Sequence, residues 1–351
     1  MITVIPAAGK SSRYYGNKPK WLRTLPEGQL LIEKAVEGLI DKSERTLLVV
    51  TKSIEDDYDV TSLMEQVFGN SLEVVILANP TTSAVETVIE GLVIAKVGLD
   101  SRLLIKDSDN IVKFDFPKFT KAFSVGVDIS MNTVNNVGAK SFFKLNDDQV
   151  VTDFVEKKII SQFISVGTHG FTSVSSFLDY ATTLFSNSTQ ISKEYYISNV
   201  ISLMVYEGIT VEYVEADDYL DLGTQQEWEA LRRSMATYFC DFDGTLVKNS
   251  GKYGSNRWGD EDIPLESNLR ALKELYDAGA QIIITTSRSE VHKSDIEKTL
   301  KKWSIEPYSI ICGLNHSQRY LINDYADTNI YPSAIAVNLP RNGNLENFFV
   351  K

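Results

Sequence analysis

With 351 residues, 43% of them hydrophobic and 23% charged, the chain is long for one domain, comfortable for two, and composed like an ordinary soluble globular protein. A formal net charge of -12 argues against the clustered Lys and Arg footprint of a nucleic-acid binder, so any phosphate it handles is expected to be bound locally or through metal. No stretch has the ~18 uninterrupted apolar residues of a membrane span, MITVIPAAG lacks the basic lead and long apolar run of an export signal, and the isolated Cys240 and Cys312 suit a reducing cytoplasm rather than a disulfide framework or zinc site.

Residues Ile2 to Pro6 form a β-branched apolar run that predicts a buried parallel strand, followed by the small-residue loop Ala7-Ala8-Gly9-Lys10-Ser11-Ser12-Arg13. Small side chains let backbone N–H groups approach phosphate oxygens, while Lys10, Arg13, Lys18 and Lys20 supply positive charge. The same pattern also suits a tight βα turn with solvated lysines. A helix is predicted over Leu31 to Leu39, a strand over Thr46 to Thr51, a helix over Val60 to Phe68 and a strand over Leu72 to Leu77. After the turn at Asn79-Pro80 come a helix over Ser83 to Ala95 and a buried strand over Arg102 to Lys106. This alternation implies a parallel sheet covered on both faces, with ligands at the carboxyl ends of its strands. The last strand empties into Asp107-Ser108-Asp109-Asn110, which is either a cap or turn or a place where a divalent cation bridges carboxylates and a nucleotide phosphate.

Glu156-Lys157 then precedes the strand-like ISVGTHGF of Ile164 to Phe171, and Glu194-Tyr195-Tyr196 and Asp221-Leu222-Gly223-Thr224 follow. A short helix is predicted over Gln226 to Arg233, and an apolar strand from Ala236 to Cys240 ends in Asp241-Phe242-Asp243-Gly244-Thr245-Leu246. Two carboxylates so placed suit a nucleophile and an acid–base partner, with Gly244 allowing a sharp turn; the alternative is a β-turn with two solvent-facing aspartates. A helix over Leu265 to Ala278, a strand from Gln281 leading into Thr285-Thr286-Ser287-Arg288, and a strand over Tyr308 to Cys312 complete the pattern. Pro340 to Asn344 is turn-like, with a short helix after it. His316 has no second His or Cys at ligand spacing and is not expected to bind metal.

From Met1 to about Arg233 the order of motifs resembles the nucleotidyltransferase family that activates sugar phosphates and related phosphorylated small molecules with an NTP. Its AGxGxR opening followed by PK is matched by Ala8-Gly9-Lys10-Ser11-Ser12-Arg13 and Pro19-Lys20, and the aspartate of its GDN-like segment by Asp109. Glu156-Lys157, the ISVGTHGF strand with Gly167, Glu194-Tyr195-Tyr196, and Asp221 in its D-x-G-T setting match the family's later segments. Two departures stand out: Ser11 replaces a frequent glycine, and the glutamine-rich base-reading segment is here Asn79-Pro80-Thr81-Thr82-Ser83-Ala84. The resemblance implies that Ala8 to Ser12 wrap the nucleotide, that Asn79 and Ser83 lie toward the base, and that Arg13 and Lys20 are catalytic cations. It further implies that Glu156, Lys157, Gly167 and Glu194 line the acceptor pocket and that Asp109 and Asp221 hold Mg²⁺. Glu156 is equally a surface ion-pair partner of Lys157.

From Tyr238 to Leu339 the chain resembles the haloacid dehalogenase superfamily, on the strength of Asp241-Phe242-Asp243-Gly244-Thr245. That resemblance implies Asp241 as nucleophile, Asp243 as general acid and base, Thr286 as phosphoryl ligand with Thr285 as the neighbour able to replace it, and Arg319 in place of the usual lysine. Asp324 would complete a Mg²⁺ site with Asp241 and Asp243, with Asp327 a weaker candidate. The loop from Val247 to Ile263 is too short for a cap domain, so the site should be open, or covered by the other domain or a second subunit in a homo-oligomer.

The expected architecture is α/β with two Rossmann-like domains: a nucleotidyltransferase (GT-A-like) domain on a mixed or parallel sheet at 1–234, and a small haloacid dehalogenase-like domain with minimal cap at 237–351. The expected function is bifunctional, with an NTP (CTP favoured by analogy with fused capsule enzymes) and a phosphorylated sugar, polyol or similar molecule as partners, in surface polysaccharide precursor synthesis. A nucleotidyltransferase with a vestigial phosphatase domain, or a non-catalytic nucleotide-binding subunit, are the alternatives.

Overall fold

The first apolar run becomes β1 (Ile2–Pro6). After it come α1 (Leu31–Ala35), β2 (Arg45–Thr51), α2 (Lys52–Tyr58), α3 (Val60–Phe68), β3 (Glu73–Leu77), α4 (Ala84–Ile94) and β4 (Leu103–Lys106). β1 pairs in parallel with β2 and β4, and β2 with β3. Both faces of these strands are covered: Val4 and Ile5, and Leu47 through Val50, are fully buried, which is why they read as unbroken apolar runs rather than alternating ones. Gly91 in α4 faces Val49 so closely that a β-carbon there would lie 2.5 Å from a Val49 methyl group, and its absence lets the helix settle onto the sheet. The first helix stops at Ala35 rather than Leu39, since Val36 leaves helical geometry and Gly38 takes a φ of +73°. The computed structural model describes every residue except 10–17, 132–135, 187–194, 250–257, 259–261, 325–332 and 346–351. The helix expected at the C-terminal tail lies outside the described residues.

The chain continues through β5 (Asn110–Phe114), β6 (Ala122–Asp128), β7 (Ser141–Leu145), β8 (Val151–Glu156), β9 (Phe163–Phe171), α5 (Val174–Ser186), α6 (Ile197–Tyr206), β10 (Val211–Asp221) and α7 (Gln225–Ser234). The strand order is β3-β2-β1-β4-β9-β6-β10-β5, and β7 pairs with β8 and β9. Of the mixed or parallel sheet expected, the structure has the mixed form: β9 runs antiparallel to β4 and β6, and β5 antiparallel to β10. Parallel pairing requires long crossovers, and the β7–β8 connection is too short to supply one, so β7 and β8 also pair antiparallel. Apolar clusters fill both faces, one under α4, α5 and α6 and another against Trp21, Ile32, Val60 and Met64.

The chain divides into two units, Met1–Glu227 and Trp228–Lys351. In the second, β11 (Thr237–Asp241), α8 (Glu266–Asp277), β12 (Gln281–Thr285), α9 (Lys293–Lys301) and β13 (Ser309–Ile311) give a parallel three-stranded sheet in the order β11-β12-β13. Its core gathers Phe242, Leu246, Leu269, Leu272, Ile282, Ile284, Ile296 and Leu300. The whole is an α/β protein with a large mixed sheet in its N-terminal part. Among the described residues no helix is long and apolar enough to cross a membrane.

Candidate active sites

β1 delivers buried Ala7 and Ala8 and exposed Gly9 to the carboxyl edge of the sheet, where Ala7 N–H donates to Val49 O at 2.8 Å. Lys10, Ser11, Ser12 and Arg13 lie outside the described residues, as does Glu194. Just beyond the loop, Trp21 and Leu22 are each 2% exposed and anchor the single turn Lys20–Leu22. The anchor aims the Lys20 ammonium at Asp109 Oδ2, with which it forms an ion pair.

The antiparallel ladder between β10 and β5 sets Asp221 opposite Asn110, and Leu222 N–H donates to Asp109 O at 3.0 Å. Two aspartates far apart in the chain thereby converge. A β-carbon built on Gly223 would lie 3.1 Å from both Asp109 Oδ2 and Asp221 Oδ1, so glycine leaves that space to the two carboxylates. Asp221 Oδ1 accepts the Gly223 N–H at 2.9 Å, and its Oδ2 is ion-paired with Lys140, a residue that carried no signal in the sequence. Thr224 and Glu227 cap α7 reciprocally: Thr224 N–H donates to Glu227 Oε2 at 2.8 Å, and Glu227 N–H donates to Thr224 Oγ1 at 3.4 Å. Beneath Asp109, the fully buried Lys106 ammonium donates to Asp107 O, Asn110 O and Asn110 Oδ1 at 2.7, 3.0 and 2.6 Å, fixing the turn that presents Asp109. Burial holds this ammonium below its ordinary range; burial, helped by the Asp109 charge, pushes the neighbouring Asp107 carboxyl up.

Gly167 in β9 has a φ of +68°, and a β-carbon there would collide with the Asp107 carboxylate. Asp107 N–H donates to Gly167 O at 2.8 Å, which ties the strand expected to line the acceptor pocket to the turn carrying Asp109. Glu156 accepts hydrogen bonds from Ser141 Oγ and from Ser198 Oγ, the latter at 2.6 Å. The alternative of a Glu156–Lys157 surface ion pair does not describe this arrangement. Lys157 instead turns away through a φ of +52° and places its ammonium on Tyr196, 4.2 Å from the ring centroid and hydrogen-bonded to the hydroxyl. Asn79 is exposed, and the Ser83 hydroxyl caps α4 by accepting Glu86 N–H at 3.2 Å. His169 is buried against Ser124 Oγ at 3.1 Å, and burial pushes its imidazole down to about 3, so it remains neutral.

In the second unit Asp241 ends β11 and Phe242 is fully buried, so strand alternation turns Asp241 and Asp243 to the same side. Phe242 N–H donates to Thr285 O at 3.1 Å and Gly244, with a φ of +82°, reverses the chain. Thr286 Oγ1 donates to Asp243 Oδ2 at 3.3 Å. Arg288, 1% exposed and stacked 4.9 Å over the Phe242 ring, grips Asp243 through Nε and Nη2 (3.0 and 2.6 Å) and Asp262 through Nη1 and Nη2 (3.2 and 2.7 Å). The sequence motifs give no role to Arg288 or Asp262; a basic residue three positions past the strand-end Thr285 was the available signal. Burial, then the Asp243 charge, pushes the Asp241 carboxyl up to about 6, opposed by Arg319 and His316. Arg319 is steadied by Asn315 O, Ser317 O and Ser287 Oγ at 2.7, 2.8 and 3.3 Å. Asp324 is exposed, as Asp241 is, and its backbone N–H donates to Asn323 Oδ1 at 3.1 Å. Tyr320 and Ile322, before it, are 81% and 90% exposed. Asp327 lies outside the described residues.

Among the described residues no group of three or more His, Cys, Asp or Glu side chains forms a metal cage. The Asp109–Asp221 and Asp241–Asp243 pairs, all hard oxygen donors, nevertheless fit a cation such as Mg²⁺, which is commonly bound by one or two carboxylates plus substrate phosphate and water.

Residues 238–334 match the family model for haloacid dehalogenase-like hydrolases. No curated protein matches the chain. Among solved structures, it is similar to the nucleoside-diphosphate-sugar pyrophosphorylase from Vibrio cholerae RC9, at 23% identity and a TM-score of 0.57, over 66% of this chain and 100% of that one. It is also similar to the inositol-1-phosphate CTP transferase from T. maritima, at 12% identity and a TM-score of 0.51, over 66% of this chain and 94% of that one. The N-terminal two thirds therefore has a nucleotidyltransferase fold, and the C-terminal region is haloacid dehalogenase-like.

Proposed function

We propose that the chain is a bifunctional enzyme that transfers a nucleotidyl group from an NTP to a phosphorylated small molecule and hydrolyses a phosphate monoester in the same pathway. The observation that carries the first activity is the convergence of Asp109 and Asp221 on Gly223, with Lys20 beside them. An acceptor phosphate oxygen attacks the α-phosphorus, the bridging α–β P–O bond breaks, and its electron pair leaves on pyrophosphate. Positioning and charge stabilisation are the enzyme's contribution to such a transfer. Asp109 and Asp221 would hold Mg²⁺, which when bound neutralises phosphate charge. Arg13 and Lys20 act on the triphosphate and Lys157 on the acceptor phosphate, released from Tyr196.

In the second activity an Asp241 carboxylate oxygen attacks the phosphorus of the monoester, and the alkoxide leaves with a proton from Asp243. Water then attacks the aspartyl phosphate, giving its proton to Asp243 and freeing phosphate and Asp241. Thr286 steadies Asp243 and the phosphoryl group, Arg319 supplies positive charge beside Asp241, and Asp241, Asp243 and Asp324 would hold Mg²⁺. CTP is the preferred donor, a sugar or polyol phosphate the preferred acceptor, and surface polysaccharide precursor synthesis the preferred setting; joining the two folds makes sense when one product is the other's substrate. Incubation with Mg²⁺, each NTP in turn and a panel of phosphosugars and phosphopolyols, with pyrophosphate and phosphate followed separately, tests the proposal. Release of both supports it; no pyrophosphate from any mixture defeats it.

A further inference from the structure

The converged carboxylates of the nucleotidyl site each meet a lysine: Lys20 on Asp109 and Lys140 on Asp221. Lys20 belongs to the Pro-Lys motif, but Lys140 belongs to no motif. It follows the short turn Val137–Ala139, directly before β7, and its side chain is 15% exposed, with Glu227 Oε1 at 3.9 Å as a second carboxylate. Its carbonyl accepts the Lys157 N–H at 3.1 Å, so the segment that aims Lys140 at the metal pair also holds the residue assigned to the acceptor phosphate. The Gly223 and Thr224 N–H groups orient Asp221 through Oδ1 and Glu227 through Oε2, while the Lys140 ammonium faces their other oxygens, Asp221 Oδ2 and Glu227 Oε1, and balances the charge there. An ammonium on a flexible four-carbon stem can change partners without rebuilding the site.

We propose that Lys140 is a further substrate-contacting lysine of this site, held between Asp221 and Glu227 and transferred to the reacting phosphate. There it stabilises the charge that builds on pyrophosphate as the acceptor oxygen bonds to the α-phosphorus and the α–β bridge breaks. This rests on the nucleotidyl-transfer reading above. It carries a consequence for metal binding as well. Lys140 and a divalent cation would both draw on the Asp221 carboxylate, so losing the lysine leaves that carboxylate more available to metal while removing a cation from the phosphate.

Lys140→Met is compared with wild type in two assays: pyrophosphate release at saturating NTP and acceptor, and Mn²⁺ binding to the nucleotide-free protein followed by electron paramagnetic resonance. The expected result is a kcat lower by ~10²-fold, the cost of deleting one charge-stabilising donor, with Mn²⁺ bound no more weakly than by wild type. A kcat loss below about tenfold, or weaker Mn²⁺ binding, overturns the proposal and marks Lys140 as a prop for Asp221. Lys140→Gln, read by the same two outcomes, replaces the Met variant if the latter does not fold. Wild-type protein that releases no pyrophosphate defeats the nucleotidyl-transfer reading itself, which this control separates from a failure at Lys140.

Discussion

In the first unit, Asp109 and Asp221 arrive from distant strands and each is met by a lysine on a flexible stem; in the second, Asp241 and Asp243 flank one buried phenylalanine and Asp243 is gripped by a buried arginine fork. A lysine ammonium is a compact charge that exchanges partners, whereas a bidentate guanidinium fixes the plane of the carboxylate it holds. The contrast follows the chemistry proposed for each site. Nucleotidyl transfer needs carboxylates that give up their lysines to metal and phosphate. Phosphoester hydrolysis by Asp241 needs an acid–base group held in register while the nucleophile stays available.

The largest effect that tests this contrast is at the converged pair. Asp109→Ala should lower pyrophosphate release by ~10³-fold or more, because several kcal/mol of metal-borne charge stabilisation is lost, and a wild-type rate from this variant would remove the metal assignment. Next is the arginine fork. Arg288→Met strands two partly buried carboxylates and should destabilise the second unit by ~3–5 kcal/mol in urea unfolding, whereas Lys20→Met at the more exposed pair should cost far less; equal costs would erase the distinction between exchangeable and fixed partners. Gly167→Ala should cost ~1–3 kcal/mol through its left-handed backbone and also lower kcat for transfer, since the new methyl group pushes on Asp107 and the turn bearing Asp109. Loss of stability with unchanged transfer would show that β9 does not position the metal pair. The smallest effect is electrostatic. Asp241 has its carboxyl pushed up to about 6, so in metal-free protein its carbon-13 resonance should titrate near that pH, with the ionised nucleophile lost as pH falls through it. Added Mg²⁺ favours the charged form and should move the titration to lower pH; no movement would speak against a cation at Asp241.

How far the sequence reveals these sites depends on how local they are. Asp241, Phe242, Asp243 and Gly244 are consecutive, and strand alternation plus one turn is enough to place both carboxylates, so motif and geometry agree. Asp109 and Asp221 meet through the β5–β10 register, which no local pattern encodes, and resemblance to a family was needed to pair them. α3 was legible to the residue because apolar period and end signals coincide, while the antiparallel insertion of β9 was not, since its partners β4 and β6 lie far from it in the chain. Lys140 and Arg288 escaped notice for a shared reason: each gains meaning from a carboxylate that only the fold brings near.

The central claim is that one chain carries two separable phosphate chemistries, and a crossed assay of Asp221→Asn and Asp241→Asn tests it most directly. With pyrophosphate and phosphate measured in parallel, Asp221→Asn should abolish pyrophosphate release and keep monoester hydrolysis, and Asp241→Asn should do the reverse. Loss of both products in either variant, or of neither in both, would contradict it.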